Sequence, residues 1–180
     1  MTDLSPCCWT AGTIYRDVRK TLTDKQETPP CQIRIDKEGV WYYQGAEMFR
    51  REFVNFFYQH LHRDAEGRYV IELPNDRCYV EVEDTAYFVK AVHTDNGHEG
   101  ASGGSLRIML CDDTWEKLDP ETLYVGRENV LYCEVRGGKF PARFSRAAYY
   151  QLAEHIEQDD DNGTFFLHCE GRRYDIGRRF

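Results

Sequence analysis

Two stretches of this chain repeat one another at a fixed spacing, and that repeat narrows the fold more than any other feature. Through a predicted helix and the hairpin that follows, the offset is 96 positions: Arg50 falls on Arg146, Phe53 on Tyr149, Phe56 on Leu152, Gly67 on Gly163, Tyr69 on Phe165, Ile71 on Leu167, Arg77 on Arg173 and Val80 on Ile176. In the hairpin before the helix the offset is 98, with Ile33 on Leu131, Gly39 on Gly137 and Tyr42 on Phe140, so one two-residue deletion reconciles the halves. Apolar periodicity alone would align many of the hydrophobic positions, but the shared glycines and arginines are harder to obtain that way. Two copies make a pseudo-symmetric pair rather than a solenoid, which needs three or more units to bury its faces. The seam between the copies is then the natural place for a ligand.

The local pattern predicts an α+β chain of two related β-β-α-β-β units with extra strands between them. The first unit spans 31–84. Its opening hairpin runs from Gln32 to Asp36 and from Val40 to Gln44 around the turn Lys37-Glu38-Gly39. Phe49, Phe53, Phe56 and Phe57, with Val54 and Leu61, recur at helical spacing, and Gly67 ends that segment. Strands Tyr69 to Leu73 and Cys78 to Val82 follow, joined by Pro74-Asn75-Asp76.

Residues 85–180 read as a C-terminal α+β domain that contains the second unit, 130–177. It opens with strands Tyr87 to His93 and Leu106 to Cys111, separated by a glycine-rich loop. The second unit then predicts strand Val130 to Arg136, strand Phe140 to Phe144, a helix from Ser145 to Glu157 and a last hairpin around Gly171. Residues 1–30 stand apart. Ile14, Tyr15, Val18 and Leu22 share one helical face, so a short helix and a loose tail are the two readings before Pro29 and Pro30 interrupt.

A chain of 180 residues with 41% hydrophobic and 14% aromatic content can bury a substantial core without disulfides. Its formal charge of -8 argues against a broad DNA- or RNA-binding face. The seven cysteines are an odd number, and no basic start with a continuous apolar run precedes them. Reduced thiols and a cytoplasmic setting are therefore expected. No stretch has the roughly 20 apolar residues of a membrane helix.

No catalytic site, metal site or cofactor is predicted. His60 and His62 are two apart on a helix and do not share a face, and no Cys-x-x-Cys occurs. The run Asp159-Asp160-Asp161-Asn162-Gly163 lacks a glutamate at the closing position of a calcium loop, where Cys169 stands. Cys133 or Ser102 would be the nucleophile of a hydrolase or transferase, but neither sits in a nucleophile signature.

The run from Arg136 to Arg146 carries Arg136, Lys139, Arg143 and Arg146 without an acid. Arginine forks suit phosphate or carboxylate, and Arg146 opens a helix whose N-terminus also favours anions. The commoner outcome for such residues is exposure beside the chain's own acids. Trp41 and Tyr43 share one strand face, and Tyr42 takes the other, so one set is core and the other is open to stack on a ring. Tyr149 falls with Leu152, Ala153 and Ile156 on the core stripe of the second helix, which leaves Tyr150 outward.

The motifs GVWYYQGAEMFRREFV, YVEVEDTAYF and EVRGGKFPARFSRAAYYQL together resemble the bacterial family called domain of unknown function 1285, from about Cys31 to Gly177. That resemblance implies a duplicated architecture, a C-terminal half superficially like a pleckstrin-homology domain, a nucleotide-based ligand between the domains and a signalling role. The Trp-and-Pro segment expected before the first strand is reduced here to Pro29-Pro30-Cys31.

The leading expectation is a module that senses a small anionic or nucleotide-like ligand at the seam. Arg50, Arg136, Arg143 and Arg146 would hold charge, with Trp41, Tyr43 or Tyr150 against a ring. The rival is a protein-interaction adaptor that takes a peptide through sheet edges and an aromatic patch.

Overall fold

A computed structural model of the protein describes residues 28–95, 104–161 and 163–179. The N-terminal helix or tail, the glycine-rich loop and Ser102 lie outside the described residues.

The first sheet is built from β1 (Pro30–Ile35), β2 (Trp41–Tyr43), β3 (Ala46–Glu47), β4 (Leu61–Arg63), β5 (Tyr69–Leu73) and β6 (Asp76–Val82), with helix α1 (Arg51–Gln59) between β3 and β4. Its order is β3-β2-β1-β6-β5-β4, with β1 and β6 parallel and the other neighbours antiparallel. Asp36 makes the first turn, its Oδ1 accepting from the amides of Glu38 at 3.0 Å and Val40 at 2.8 Å. Gly39 is required there twice over. Its φ is +80°, and a Cβ would stand 2.2 Å from the Phe88 ring.

The second sheet holds β7 (Tyr87–Asp95), β8 (Ser105–Leu110), β9 (Trp115–Lys117), β10 (Tyr124–Val125), β11 (Leu131–Val135) and β12 (Phe140–Phe144). Helix α2 (Arg146–Ala153) follows, capped by Ser145, whose Oγ accepts from the Ala148 amide at 3.1 Å. A small antiparallel sheet comes next: β13 (Ile156–Gln158), β14 (Phe165–Cys169) and β15 (Arg172–Asp175). The last strand, β16 (Gly177–Arg178), returns to the second sheet, whose order is β16-β10-β11-β12-β7-β8-β9.

Each half thus runs hairpin, helix, short strand, hairpin. The pairing differs between them. The first half closes into one sheet through the parallel contact of β1 with β6, whereas β15 pairs only with β14 and leaves a separate small sheet.

One apolar core passes through both halves, from Ile35, Trp41 and Ile71 to Val89, Ile108, Leu110, Val135, Leu152 and Leu167. Where the halves meet, aromatic rings form a chain. Tyr58 lies 4.9 Å from Tyr87, Tyr87 5.1 Å from Phe140, and Phe140 6.2 Å from Tyr69, centroid to centroid.

The α+β class stands, with three corrections. Both helices are shorter than predicted, because Leu61 and Ile156, which continue the helical stripe in sequence, instead pair in β4 and β13 opposite Ile71 and Leu167. Tyr149 is 41% exposed rather than core, since α2 turns Ala148 and Leu152 inward. Cys31 and Cys78 form a disulfide and are not reduced thiols. The parallel pairing of β1 with β6 brings their Cα atoms to 5.0 Å, within disulfide reach. Among the described residues no helix is long and apolar enough to cross a membrane.

Candidate functional site

An open groove lies where the first half meets the second. Its first part, about 480 Å³, is lined by Asn55, Tyr58 and Gln59 of α1, Leu61 and His62 of β4, Tyr87, Asp112, Thr114, and Arg136, Lys139 and Phe140 around the β11–β12 turn. Its second part, about 520 Å³, shares His62, Lys139 and Phe140 and continues over Arg63, Asp64, Ala65 and Gly67. The two parts form one trough between the β4–β5 turn and the β11–β12 turn.

Both turns are held by their own chemistry. Asp64 accepts at Oδ1 from the amides of Glu66 at 3.1 Å and Arg68 at 2.8 Å, and its Oδ2 pairs with Arg68 Nε at 2.8 Å. Burial pushes the Asp64 carboxyl up, but the Arg68 amide and guanidinium outweigh it and hold the pKa below the ordinary carboxylate value. Across the trough Arg136 takes a left-handed φ of +56° and donates its amide to Glu116 Oε1 at 3.1 Å. Its guanidinium pairs with Asp112, bonds Thr114 Oγ1 at 2.8 Å and lies 5.3 Å from the centroid of the Tyr87 ring.

The cations of the trough divide into two kinds. Arg136 is neutralised by Asp112 and lies 3.9 Å from Glu116. Lys139 is exposed and has no ion pair among the described residues. Arg63 likewise pairs with no carboxylate, its Nε bonding the Gly67 carbonyl at 3.3 Å and its guanidinium lying 5.7 Å from the Tyr69 ring. These two leave a positive rim without carboxylate partners among the described residues, on an acidic protein, and His62 lies beside them. At the α1 wall the Asn55 Oδ1 is buried without a hydrogen-bond partner among the described residues.

Of the seven residues singled out in the sequence, the structure brings only Arg136 to this groove. Trp41 is 2% exposed and donates Nε1 to Tyr58 Oη at 2.9 Å, so its ring belongs to the core. Tyr43 is half-buried on β2 opposite Ile33. Arg50 precedes α1 with its guanidinium 5.9 Å from the Phe53 ring. Arg143 pairs with Asp84 at 3.1 Å and donates to the Lys37 carbonyl at 3.5 Å. Arg146 is exposed at the start of α2, and Tyr150 is 64% exposed on the same helix. Asn55, His62, Arg63 and Lys139 were not among those seven. Of these four, Lys139 alone carried a signal, as a cation of the acid-free run from Arg136 to Arg146.

Burial pushes Cys111 up to about 11 and Cys133 higher still, so both remain protonated at neutral pH. Among the described residues no three His, Cys, Asp or Glu side chains gather as a metal site would require.

Fold and groove together define an α+β protein whose two halves meet over a basic, polar trough. Residues 24–85 match the family described as Domain of unknown function (DUF1285), N-terminal domain, and over that part the chain resembles the DUF1285 family. The crystal structure of a DUF1285 family protein from Silicibacter pomeroyi DSS-3 shares the fold at a TM-score of 0.68 and 20% identity, over 83% of this chain and 81% of that one. A second, from Shewanella baltica OS155, matches at a TM-score of 0.55 and 19% identity, over 68% of this chain and 90% of that one. Acireductone dioxygenase 2 of Coprinopsis cinerea is 31% identical over 96 residues, which are 46% of this chain and 45% of that protein. The chain thus spans under half the length of that curated relative.

Proposed function

We propose that the protein is a binding module whose trough takes an anionic ligand at the junction of its halves. The observation that carries this reading is the pair Lys139 and Arg63, two cations contributed by different halves to one groove and left without carboxylate partners. Arg136 and Arg143 are already paired with Asp112 and Asp84; this rim is open to a phosphate or carboxylate. Tyr87 and Phe140 line the floor but are 2% and 5% exposed, so the trough offers edges and polar side chains rather than a stacking face. That supports recognition by charge and hydrogen bonds over recognition of a base ring.

The shared element order of the halves supports an origin by duplication, with the seam becoming the site. A signalling role and a cytoplasmic setting are part of the same proposal, and the disulfide is the feature that weighs against the second. A thermal-shift scan against pyrophosphate, nucleotides and dicarboxylates tests the reading. Ligand at about 100 times its dissociation constant stabilises by roughly 2.7 kcal/mol, and Lys139→Ala removes that shift. No response to any anion contradicts it.

A further inference from the structure

Strand β4 ends the first sheet, so one of its edges has no neighbouring strand among the described residues. The ladder with β5 shows which backbone groups face that edge. The Glu72 amide bonds the His60 carbonyl, and the Asp64 amide bonds the Arg68 carbonyl, both at 3.0 Å. With Leu61 opposite Ile71, His62 opposite Val70 and Arg63 opposite Tyr69, alternation makes His60, His62 and Asp64 the residues that exchange bonds with β5. The N–H and C=O groups of Leu61 and Arg63 therefore point away from β5; Arg63 is exposed there, whereas Leu61 is 3% exposed and only touches the groove.

The groove follows that edge. Leu61, His62 and Arg63, consecutive residues of β4, all line the trough. Lys139 of the other half stands across it. An extended chain laid there would meet a backbone ladder on one side and cations on the other, in a protein whose net charge is -8.

We propose that β4 is a docking edge for an extended acidic peptide. The peptide would pair its backbone with Arg63 and set carboxylates against the Arg63 and Lys139 side chains, with His62 alongside as a hydrogen-bonding group. This rests on the anion-binding reading above and names the ligand class for it. Strand addition supplies affinity through main-chain bonds and selectivity through alternate side chains. Edge strands left open in this way are otherwise a liability for aggregation, and the charged side chains on β4 admit an acidic partner while discouraging an apolar one.

The test is fluorescence anisotropy with a labelled hexapeptide of alternating valine and glutamate, run beside the same peptide N-methylated at alternate residues in each of the two registers. Binding that weakens about tenfold with Lys139→Ala and is abolished by one N-methylated register but not the other is the expected result. Methylation sits on the peptide, so protein folding does not enter. Equal binding by both methylated registers overturns the inference. Pyrophosphate bound in a Lys139-dependent way with no peptide binding overturns it too, and leaves the anion reading in place. Binding of neither overturns both.

Discussion

Arg143 and Asp84 clamp the two halves together: Nη1 of the arginine on β12 lies 3.1 Å from Oδ2 of the aspartate that follows β6, and Tyr132 Oη donates to the same oxygen at 3.1 Å. Both side chains of the pair are about three-quarters covered, at 28% and 27% exposure. Arg143→Ala leaves Asp84 with the tyrosine alone, and we expect a loss of about 1–2 kcal/mol in urea unfolding with anion binding unchanged. Lys139→Ala should do the reverse. A binding loss in the Arg143 variant without a stability loss would return that residue to the site.

Tyr58 is the hinge of a buried polar chain. Its hydroxyl accepts from Trp41 Nε1 at 2.9 Å, donates to the Ala86 carbonyl at 2.9 Å and receives the Cys111 thiol at 3.0 Å. Tyr58→Phe strands an indole N–H and a carbonyl in the core, which should cost about 2–4 kcal/mol by the same denaturant measurement.

The strands with clean alternation were legible to the residue. Phe140 to Phe144 is β12 as predicted, because its buried positions recur on one face, and Tyr69 to Leu73 is β5 as predicted between Gly67 and Pro74, although its adjacent Val70 and Ile71 are both buried. The short strands β4 and β13 were not, since three residues are too few to reveal a period of two and Leu61 and Ile156 continue the helical one. The trough was legible only at Arg136 and Lys139, through the acid-free run that carries both. Asn55, His62 and Arg63 become neighbours of Lys139 through packing of the two halves, and no local pattern marks that.

Cys111 makes stability fall at alkaline pH. Burial raises its folded pKa to about 11 from an ordinary value of 9.0, so the unfolded thiol ionises first. The contribution is fully present below pH 9 and is lost as pH rises through 11, by about 2 kcal/mol at that pH. Cys111→Ala should lessen the decline between pH 9 and 11, leaving the part that Cys133 contributes and the later fall from Tyr58 and Tyr87, whose pKa values burial also raises.

The disulfide ties β1 to β6 across 47 positions. Loop-closure entropy for that span is about 4 kcal/mol, an upper figure for what Cys78→Ala removes. A non-reducing digest should yield the peptides of Cys31 and Cys78 joined, and dithiothreitol should lower the melting temperature of the wild type toward that of the variant. Separate peptides under non-reducing conditions would contradict the pairing.

The central claim is the place of the ligand, and an amide chemical-shift titration with pyrophosphate reads it directly. The account predicts the largest shifts at Asn55, His62, Arg63, Thr114 and Lys139, with Arg50, Arg146 and Tyr150 unmoved. Shifts centred on Arg146 and Tyr150, or none at all, would contradict it.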